Sequence, residues 1–353
     1  MTDKHNPIGT DGFEFVEFAS HEPEKLKKLF LQMGFSLVGR HKSKDILHFR
    51  QGDINFILNR APDSQAAEFA GKHGPSANAM AFRVQDAAHA IEEAVKRGAK
   101  RIEGPVGPME LNIPAIEGIG GLIIYFVDLY GAQTIYDVDF NPANEPEHTV
   151  QPTGLSVVDH LTHNVYRGNM DKWAAFYEQV FNFKEIRYFD IEGKLTGLLS
   201  RAMTSPCGKI RIPINESQDD QSQIAEFLHH YNGEGIQHIA LASDDIYQSV
   251  DMLRAKNIPF QNTPDTYYEK LDTRVPGHGE EVAALQERKI LLDGAPTKGD
   301  GILLQIFTQE AIGPIFFEII QRKGNEGFGE GNFQALFESI EEDQIRRGVL
   351  KEG

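Results

Sequence analysis

The side chain that stands out first in this sequence is an acidic one inside an apolar stretch. Glu318 lies in the segment Pro-Ile-Phe-Phe-Glu-Ile-Ile, residues 314–320, whose composition is typical of a buried strand. An ionised carboxylate in such surroundings is costly unless a positive charge pairs with it, and the first Lys or Arg that follows it is Arg322. A bound metal ion would supply that charge.

Two histidines occupy similar apolar stretches. His160 lies in Val-Val-Asp-His-Leu-Thr-His-Asn-Val, and His238 lies in Gly-Ile-Gln-His-Ile-Ala-Leu-Ala. Taken singly, a histidine in a strand is more often an ordinary core residue than a ligand. Two imidazoles and one carboxylate from three strands, however, match the arrangement that holds Fe(II) on one face and leaves the other positions open. We therefore predict a metal site formed by His160, His238 and Glu318.

Composition narrows the range of partners and compartments. The chain has 353 residues, a formal net charge of −17 and a pI of about 5.2, which argues against nucleic acid or an anionic membrane surface as a partner. Its single cysteine, Cys207, excludes an intramolecular disulfide and a cysteine-based metal cluster within one chain. No secretory signal pattern is visible, and the most apolar stretch, residues 119–127, is shorter than the roughly 20 residues that span a bilayer. We expect a cytoplasmic protein.

The chain divides near its middle. Between residues 137 and 154 the sequence becomes polar and rich in proline, which predicts a linker at residues 139–154 between domains at 1–138 and 155–324. The last part, residues 325–353, has a Gly-rich hinge followed by apolar residues at helical spacing, with Asn332 as the predicted N-cap. These apolar residues are Phe333, Leu336, Phe337 and Ile340. Such a helix could close over a site as a lid.

The two halves resemble each other. Residues 12–18, 77–86 and 121–127 show the same patterns as residues 159–165, 236–245 and 314–320, and Asp86 and Asp245 are placed to cap the helix that follows the second pattern in each half. In this alignment the three proposed ligands correspond to non-ligands in the first half: Phe13, Ala79 and Tyr125. Because paired strands need no metal to fold, we expect the site in the second half and a supporting role for the first.

Several motifs occur together in this chain, mostly after residue 159. They are Asp159-His-Leu-Thr-His-Asn, Pro213-Ile-Asn-Glu, Ser222-Gln-Ile, Gly235-Ile-Gln-His, Leu304-Gln-Ile-Phe, Phe317-Glu-Ile-Ile-Gln-Arg and Gly327-Phe-Gly-Glu-Gly-Asn-Phe333. These motifs resemble those of one family of the vicinal-oxygen-chelate superfamily, the 4-hydroxyphenylpyruvate dioxygenases. The resemblance covers nearly the whole chain and is strongest after residue 159. It implies an α+β fold in which two tandem domains of βαβββ repeats form open β-barrels.

The resemblance also implies an activity. The family converts 4-hydroxyphenylpyruvate, an aromatic 2-oxo acid, and O2 into homogentisate and CO2 in tyrosine and phenylalanine catabolism, with one Fe(II) per chain, and it forms dimers or tetramers. By motif, His160, His238 and Glu318 become the iron ligands. The residues with implied catalytic roles are Gln237, Gln305 and Phe333, and those with implied roles in substrate binding are Ser200, Asn215, Gln223, Phe307, Phe316 and Phe328.

Two other functions compete with this one. Hydroxymandelate synthase resembles the dioxygenase and uses the same substrate and metal, but it has a smaller aliphatic residue where this chain has Phe333. A non-catalytic binding protein of the same superfamily is the second alternative, against which the presence of all three ligands argues. Without the resemblance, Phe328 and Phe333 would be ordinary helix-packing residues, and the amide side chains would be routine turn or surface residues.

Overall fold

The structure is a computed structural model that describes residues 4–104, 110–143, 149–192, 197–218 and 222–336. The strands form two sheets, one from each half of the chain, and helices pack against both. A continuous apolar core runs through the two halves: the ring of Phe56 in the first lies 6.0 Å from that of Phe317 in the second. The second sheet supplies the strands on which the predicted ligands lie.

The first half forms one sheet with four α-helices among its described residues. Its strands are β1 (Thr10–Ala19), β2 (Ser36–His41), β3 (Ile46–Gln51), β4 (Ile54–Asn59), β5 (Ser76–Val84), β6 (Arg101–Ile102), β7 (Ala115–Glu117), β8 (Ile123–Val127) and β9 (Phe140–Pro142). Its helices are α1 (Pro23–Gln32), α2 (Gln65–His73), α3 (Ala87–Lys96) and α4 (Ile135–Asp139). The strand order is β6-β7-β8-β5-β1-β4-β3-β2-β9.

The second half repeats this plan. Its strands are β10 (Leu155–Val165), β11 (Lys184–Glu192), β12 (Gly197–Thr204), β13 (Arg211–Ser217), β14 (Gly235–Ser243), β15 (Leu291–Gly294), β16 (Ile302–Phe307) and β17 (Phe316–Lys323). Its helices are α5 (Met170–Phe181), α6 (Gln223–Tyr231), α7 (Ile246–Ala255), α8 (Asp265–Glu269), α9 (Leu271–Arg274) and α10 (Val282–Arg288). The strand order is β11-β12-β13-β10-β14-β17-β16-β15.

Strand register corrects one detail of the predicted repeat. In the first sheet, Ala81 of β5 pairs with Phe15 of β1 and with Tyr125 of β8. In the second sheet Ala240 holds the matching position and pairs with the proposed ligands His160 and Glu318, so the counterpart of His160 is Phe15 and not Phe13. A β-bulge lies between these two phenylalanines, so that Phe13 packs against Phe82 in the main core whereas Phe15 packs beside Tyr125 on the other face of the sheet. Sequence alternation assumes a regular strand and gives no sign of this bulge, so it could not identify the correct counterpart.

The first sheet also extends into the interval predicted as the linker. The short strand β9 pairs antiparallel with β2, with Pro142 opposite Gly39 at the edge of the sheet. Its Asn-Pro sequence has the composition of a turn, which is why it was not predicted as a strand, and an edge is where a sheet accepts proline. The first sheet therefore continues to Pro142, beyond the predicted domain end at residue 138, and β10 begins at Leu155.

Helix ends follow the predicted capping chemistry in both halves. The carboxylate of Asp86 accepts the backbone N–H of His89 at 2.9 Å, and that of Asp245 accepts the N–H of Gln248 at 3.1 Å. Both N-caps are thus confirmed, because each satisfies a backbone donor that the helix leaves free. Across the described ranges, no helix has the length and apolar character needed to cross a membrane.

The end of the described chain is also helical, at residues 330–336. Asn332 lies inside this helix, since its N–H donates to the carbonyl of Gly329 at 2.9 Å, so the prediction that it is the N-cap was wrong. Its side chain is buried and directed toward the second sheet instead. Residues 337–353 of the predicted C-terminal part lie outside the described residues. They include Phe337 and Ile340, which were also predicted to belong to the lid.

Candidate metal centre and its pocket

The three predicted ligands meet on one face of three adjacent strands. Ala240 of the central strand β14 pairs with His160 of β10 on one side and with Glu318 of β17 on the other. His238 lies two residues before Ala240, and side chains two positions apart in a strand point to the same face. The register of the sheet therefore brings together three side chains that are far apart in the sequence.

The ligand atoms have the spacing that one metal ion requires. The Nε2 atoms of His160 and His238 lie 3.2 and 3.4 Å from Oε2 of Glu318, and the three atoms are all within 4.8 Å of one another. Metal–ligand bonds of roughly 2 Å would separate neighbouring ligand atoms by about 3 Å. Two imidazole nitrogens and one carboxylate oxygen, all buried, thus form a donor set that fits a divalent transition metal.

Each histidine is oriented by a partner at its other nitrogen. Nδ1 of His160 lies 2.8 Å from Oδ1 of Asp159, and Nδ1 of His238 lies 2.8 Å from Oε1 of Gln237. Because both partner oxygens are acceptors, each Nδ1 carries a hydrogen, and each Nε2 would present its lone pair to a bound metal. The hydroxyl of Thr162 also reaches Nε2 of His238, at 2.9 Å.

The electrostatics of the site keep Glu318 ionised. Burial alone would raise its pKa, but the charges and hydrogen bonds of His160 and His238 lower the pKa to about 2. Gln305 donates to the other oxygen of this carboxylate at 3.1 Å. Burial would likewise raise the pKa of Asp159, but hydrogen bonds from Arg322 and His160 hold it well below its usual range.

A pocket opens directly above the proposed ligands. Strands β10 to β14, β16 and β17 and the C-terminal residues form its wall. Its lining residues are His160, Thr162, Phe189, Leu198, Ser200, Pro213, Asn215, His238, Gln305, Phe307, Glu318, Phe328, Glu330 and Phe333. Aromatic rings stand next to both histidines, with Phe328 centred 5.2 Å from His160 and Phe307 centred 6.2 Å from His238. The site can therefore enclose an aromatic molecule against the metal position.

Comparison with known proteins identifies the family. A family model described as hydroxyphenylpyruvate dioxygenase, N-terminal, matches residues 4–141, and one described as glyoxalase/bleomycin resistance protein/dioxygenase superfamily matches residues 157–274. The 4-hydroxyphenylpyruvate dioxygenase of Pseudomonas aeruginosa is 62% identical over 351 residues, which cover 99% of this chain and 98% of that protein. The chain belongs to the 4-hydroxyphenylpyruvate dioxygenase family.

Two further proteins are similar over nearly their whole length. The hemolysin VllY of Vibrio vulnificus is 64% identical over 355 residues, covering 99% of both chains. The solved structure of a mutant 4-hydroxymandelate synthase from Streptomyces coelicolor superposes with a TM-score of 0.80 at 25% identity, over 95% of this chain and 99% of that one. The predicted family resemblance and the α+β fold of two vicinal-oxygen-chelate domains are thereby confirmed.

Six of the nine other residues to which the dioxygenase resemblance gives a role line the pocket. They are Ser200, Asn215, Gln305, Phe307, Phe328 and Phe333. Ser200, the position with the weakest local motif, lies on β12 directly opposite Asn215 on β13. The two place a hydroxyl and an amide on the side of the pocket that Leu198 and Pro213 also line.

The remaining three lie outside the pocket lining. Gln223 is the first residue of α6 and its side chain is exposed, so its role in substrate binding stays a prediction. Gln237 contacts His238 as described above. The ring of Phe316 stacks on that of His238 at 5.0 Å, on β17 and two residues before Glu318. Gln237 and Phe316 both lie next to the proposed ligand His238 and not on the pocket wall.

The pocket also contains residues for which the sequence predicts no role. Leu198 and Pro213 precede Ser200 and Asn215 by two positions, so the period of a strand could have identified them as members of the same face. Phe189 pairs with Ser200 across β11 and β12. Glu330 had no distinguishing signal, because its approach to the pocket depends on the path of the C-terminal chain.

Proposed function

We propose that this chain is an Fe(II)-dependent dioxygenase that converts 4-hydroxyphenylpyruvate and O2 into homogentisate and CO2, with one Fe(II) per chain. The observation that supports it most is the buried set of His160, His238 and Glu318 beneath an aromatic pocket, in a chain of this family. Two neutral imidazoles and one carboxylate would leave Fe(II) with a formal charge of about +1, which attracts an anionic 2-oxo acid.

The proposed metal would be held by those three side chains and would supply the redox chemistry that couples decarboxylation of the 2-oxo acid to reduction of O2. The protein's own contribution is to orient and enclose. Asp159 and Gln237 fix the two imidazoles, and Gln305 donates to the glutamate oxygen that does not face the histidines. This arrangement leaves one side of the ligand set facing the pocket.

The substrate ring is proposed to lie among the phenylalanines of the pocket. Phe307 and Phe333 would contact its faces, and such ring pairs contribute about 1 kcal/mol beyond burial. Ser200 and Asn215 would bind the phenol hydroxyl, because a buried hydroxyl without a partner is penalised. The orientation of the ring decides which carbon is oxidised, so these positions would determine the product.

Exclusion of water is the proposed role of the C-terminal residues. Phe328, Glu330 and Phe333 cover the pocket from the side opposite the sheet. A closed and apolar environment strengthens the electrostatic interactions within it and protects a reactive site from side reactions with solvent. These residues would have to move for substrate to enter.

Product analysis tests the proposed reaction. Anaerobic addition of Fe(II) and 4-hydroxyphenylpyruvate should produce a visible charge-transfer band, and exposure to air should then cause oxygen uptake with homogentisate as the product. Hydroxymandelate as the main product would instead identify the synthase reaction, for which Phe333 is larger than expected. No oxygen uptake by iron-loaded protein would support a binding protein without catalysis.

We also propose a cytoplasmic homo-oligomer of two or four chains, on the strength of the family resemblance. Light scattering coupled to size-exclusion chromatography would measure the mass of the assembly. A mass equal to that of one 39.5 kDa chain would contradict the proposal.

A further inference from the structure

Arg322, near the end of β17, uses its guanidinium in two directions. Nε and Nη2 each donate to an oxygen of Asp159 at 2.8 Å, forming a bidentate pair. Nη1 donates to the backbone carbonyls of Asn325 and Gly327, at 3.1 and 2.6 Å. The side chain of Arg322 is 13% exposed, so these contacts form mostly away from solvent. One buried cation thus holds both a side chain of β10 and the start of the C-terminal chain.

Asp159 extends this connection to a proposed iron ligand. Its Oδ1 accepts the Nδ1–H of His160, so the carboxylate contacts Arg322 and His160 at once. Phe328 contacts both ends of this connection, because its ring packs edge-on against His160 and lies 5.6 Å from the Arg322 guanidinium carbon. The four side chains form a ring of contacts that includes the ligand and a wall residue of the pocket.

We propose that Arg322 is a positioning residue that couples the orientation of the His160 imidazole to the closed position of residues 325–328. It lies outside the set of residues that line the pocket and is not among the proposed ligands, so it acts through Asp159 and through the backbone. When the C-terminal chain opens, Arg322 loses two acceptors and Phe328 leaves the imidazole. Metal binding and closure should therefore favour each other. The inference rests on the proposed metal site.

A second arginine contacts the same carboxylate but cannot take over this role. Nη2 of Arg211 lies 2.5 Å from Glu326, and Nη1 lies 3.7 Å from Oδ2 of Asp159. Glu326 is 66% exposed, and exposed ion pairs contribute little because solvent screens them. Arg322, in contrast, donates to the backbone carbonyls of Asn325 and Gly327 and so holds the main chain itself.

The wild-type protein gives the first test. Glutamyl endopeptidase should cut after Glu326 only when the C-terminal chain opens, and mass spectrometry separates this product from cuts elsewhere. With Co(II) as a redox-inert probe of the metal site, bound metal should slow this cut. Equal cleavage rates with and without bound Co(II) would refute the coupling. If visible absorption detects no bound Co(II) at all, the proposed function fails instead.

Two variants locate the coupling. Arg322→Lys keeps the charge but loses the planar fork that reaches a carboxylate and two carbonyls at once. We expect its Co(II) dissociation constant to rise by about tenfold, the smaller end of the effect of partners that orient ligands, and Co(II) should no longer slow the cut. Asp159→Asn should do the same, although among the described residues the polar contacts that link Asp159 to the C-terminal chain run through the two arginines.

The matched control is Arg288→Lys. Nε and Nη2 of Arg288 both donate to Oδ2 of Asp251 on the surface of the same domain, at 3.0 and 2.8 Å, and this substitution should leave both readouts unchanged. The double variant Asp159→Asn with Arg322→Lys should lose no more Co(II) affinity than either single variant, because both substitutions disrupt the same contact between Asp159 and Arg322. Two outcomes would overturn the proposal. One is a single variant that loses Co(II) affinity while bound Co(II) still slows cleavage after Glu326, and the other is a double variant whose loss of affinity is the sum of the two single losses.

Discussion

At the scale of single residues, Glu318 carries the most specific chemistry. It is a buried carboxylate, and its Oε2 lies within 3.4 Å of the proposed nitrogen ligand atom of each histidine. Glu318→Gln keeps the size of the side chain but removes its charge. We expect iron to be lost on gel filtration and turnover to fall to the background rate, measured by iron analysis and oxygen uptake. Glu226→Gln, at an exposed position of α6, is the control. Full iron retention in the variant at Glu318 would show that its carboxylate is not a ligand.

The sequence predicted the three proposed ligands more readily than the residues that orient them. Polar side chains inside apolar strands are conspicuous because their burial needs a reason. Asp159 and Arg322 are 163 positions apart, and each alone has the appearance of a surface charge. Asn332 was predicted as a helix cap, whereas its amide donates to Gln305 at 2.8 Å. Such pairings depend on strand register and on the path of the C-terminal chain, which local sequence does not encode.

At the scale of elements, the helix at 330–336 connects to the metal centre through amides. Nδ2 of Asn332 donates to Oε1 of Gln305, whose Nε2 donates to Glu318. On the other side, the hydroxyl of Tyr267 donates to Oδ1 of Asn332 at 2.6 Å, and Arg274 donates to it at 3.2 Å. A buried network in which each member has a partner fixes one position of the helix.

Removal of this helix separates closure from metal binding. A chain ending at Gly331 lacks Asn332 and Phe333 but keeps the three proposed ligands and the contacts of Arg322 to residues 325 and 327. We expect kcat/KM to fall by roughly a hundredfold, the scale of misplaced positioning groups, with iron content largely retained. Steady-state oxygen uptake and iron analysis measure the two effects. A truncated protein with full activity would refute the role of the helix as a lid.

The repeated helix caps allow a test in both halves. Asp245→Ala should lower the free energy of unfolding by about 1 kcal/mol, because the N–H of Gln248 loses its acceptor. Asp86→Ala should do the same in the first half. The corresponding Asn variants are controls, since Asn caps nearly as well. Urea unfolding measures all four, and equal losses in the Ala and Asn variants would show that the cap bond is not the cause.

At the scale of the whole molecule, the first half packs against the face of the second sheet that lies opposite the proposed metal site. Phe15 and Tyr125 occupy the places that His160 and Glu318 have in the second half, and their rings lie 5.7 Å apart. Phe317 points away from the metal face of β17 and packs against Phe56 of the first half. The expectation of one supporting and one ligand-bearing half therefore has a physical basis: the strand that carries Glu318 is held between the pocket and the other domain's core.

The first half also predicts how stability depends on pH. Burial, with a smaller contribution from Arg50, lowers the pKa of His48 from 6.5 to about 4, although a hydrogen bond to Asn55 opposes this. A histidine whose pKa is lower in the folded state is held neutral, whereas the unfolded chain takes up a proton below pH 6.5. The stability that neutral His48 provides is thus complete above pH 6.5 and is lost as the pH falls toward 4.

The expected loss is large enough to measure. At about 1.4 kcal/mol for each pH unit, the interval from 6.5 to about 4 corresponds to about 3 kcal/mol. His48→Gln can still donate to Asn55 but carries no titrating ring, so it should be less stable at pH 7.5 and lose less stability on acidification. Urea unfolding at several pH values compares the slopes, with His229→Gln on the exposed face of α6 as the control. If the free energy of unfolding depends on pH equally in His48→Gln and in the wild type, His48 is not the source of the loss of stability in acid. Removal of the titrating ring must remove its share of the proton uptake that drives unfolding.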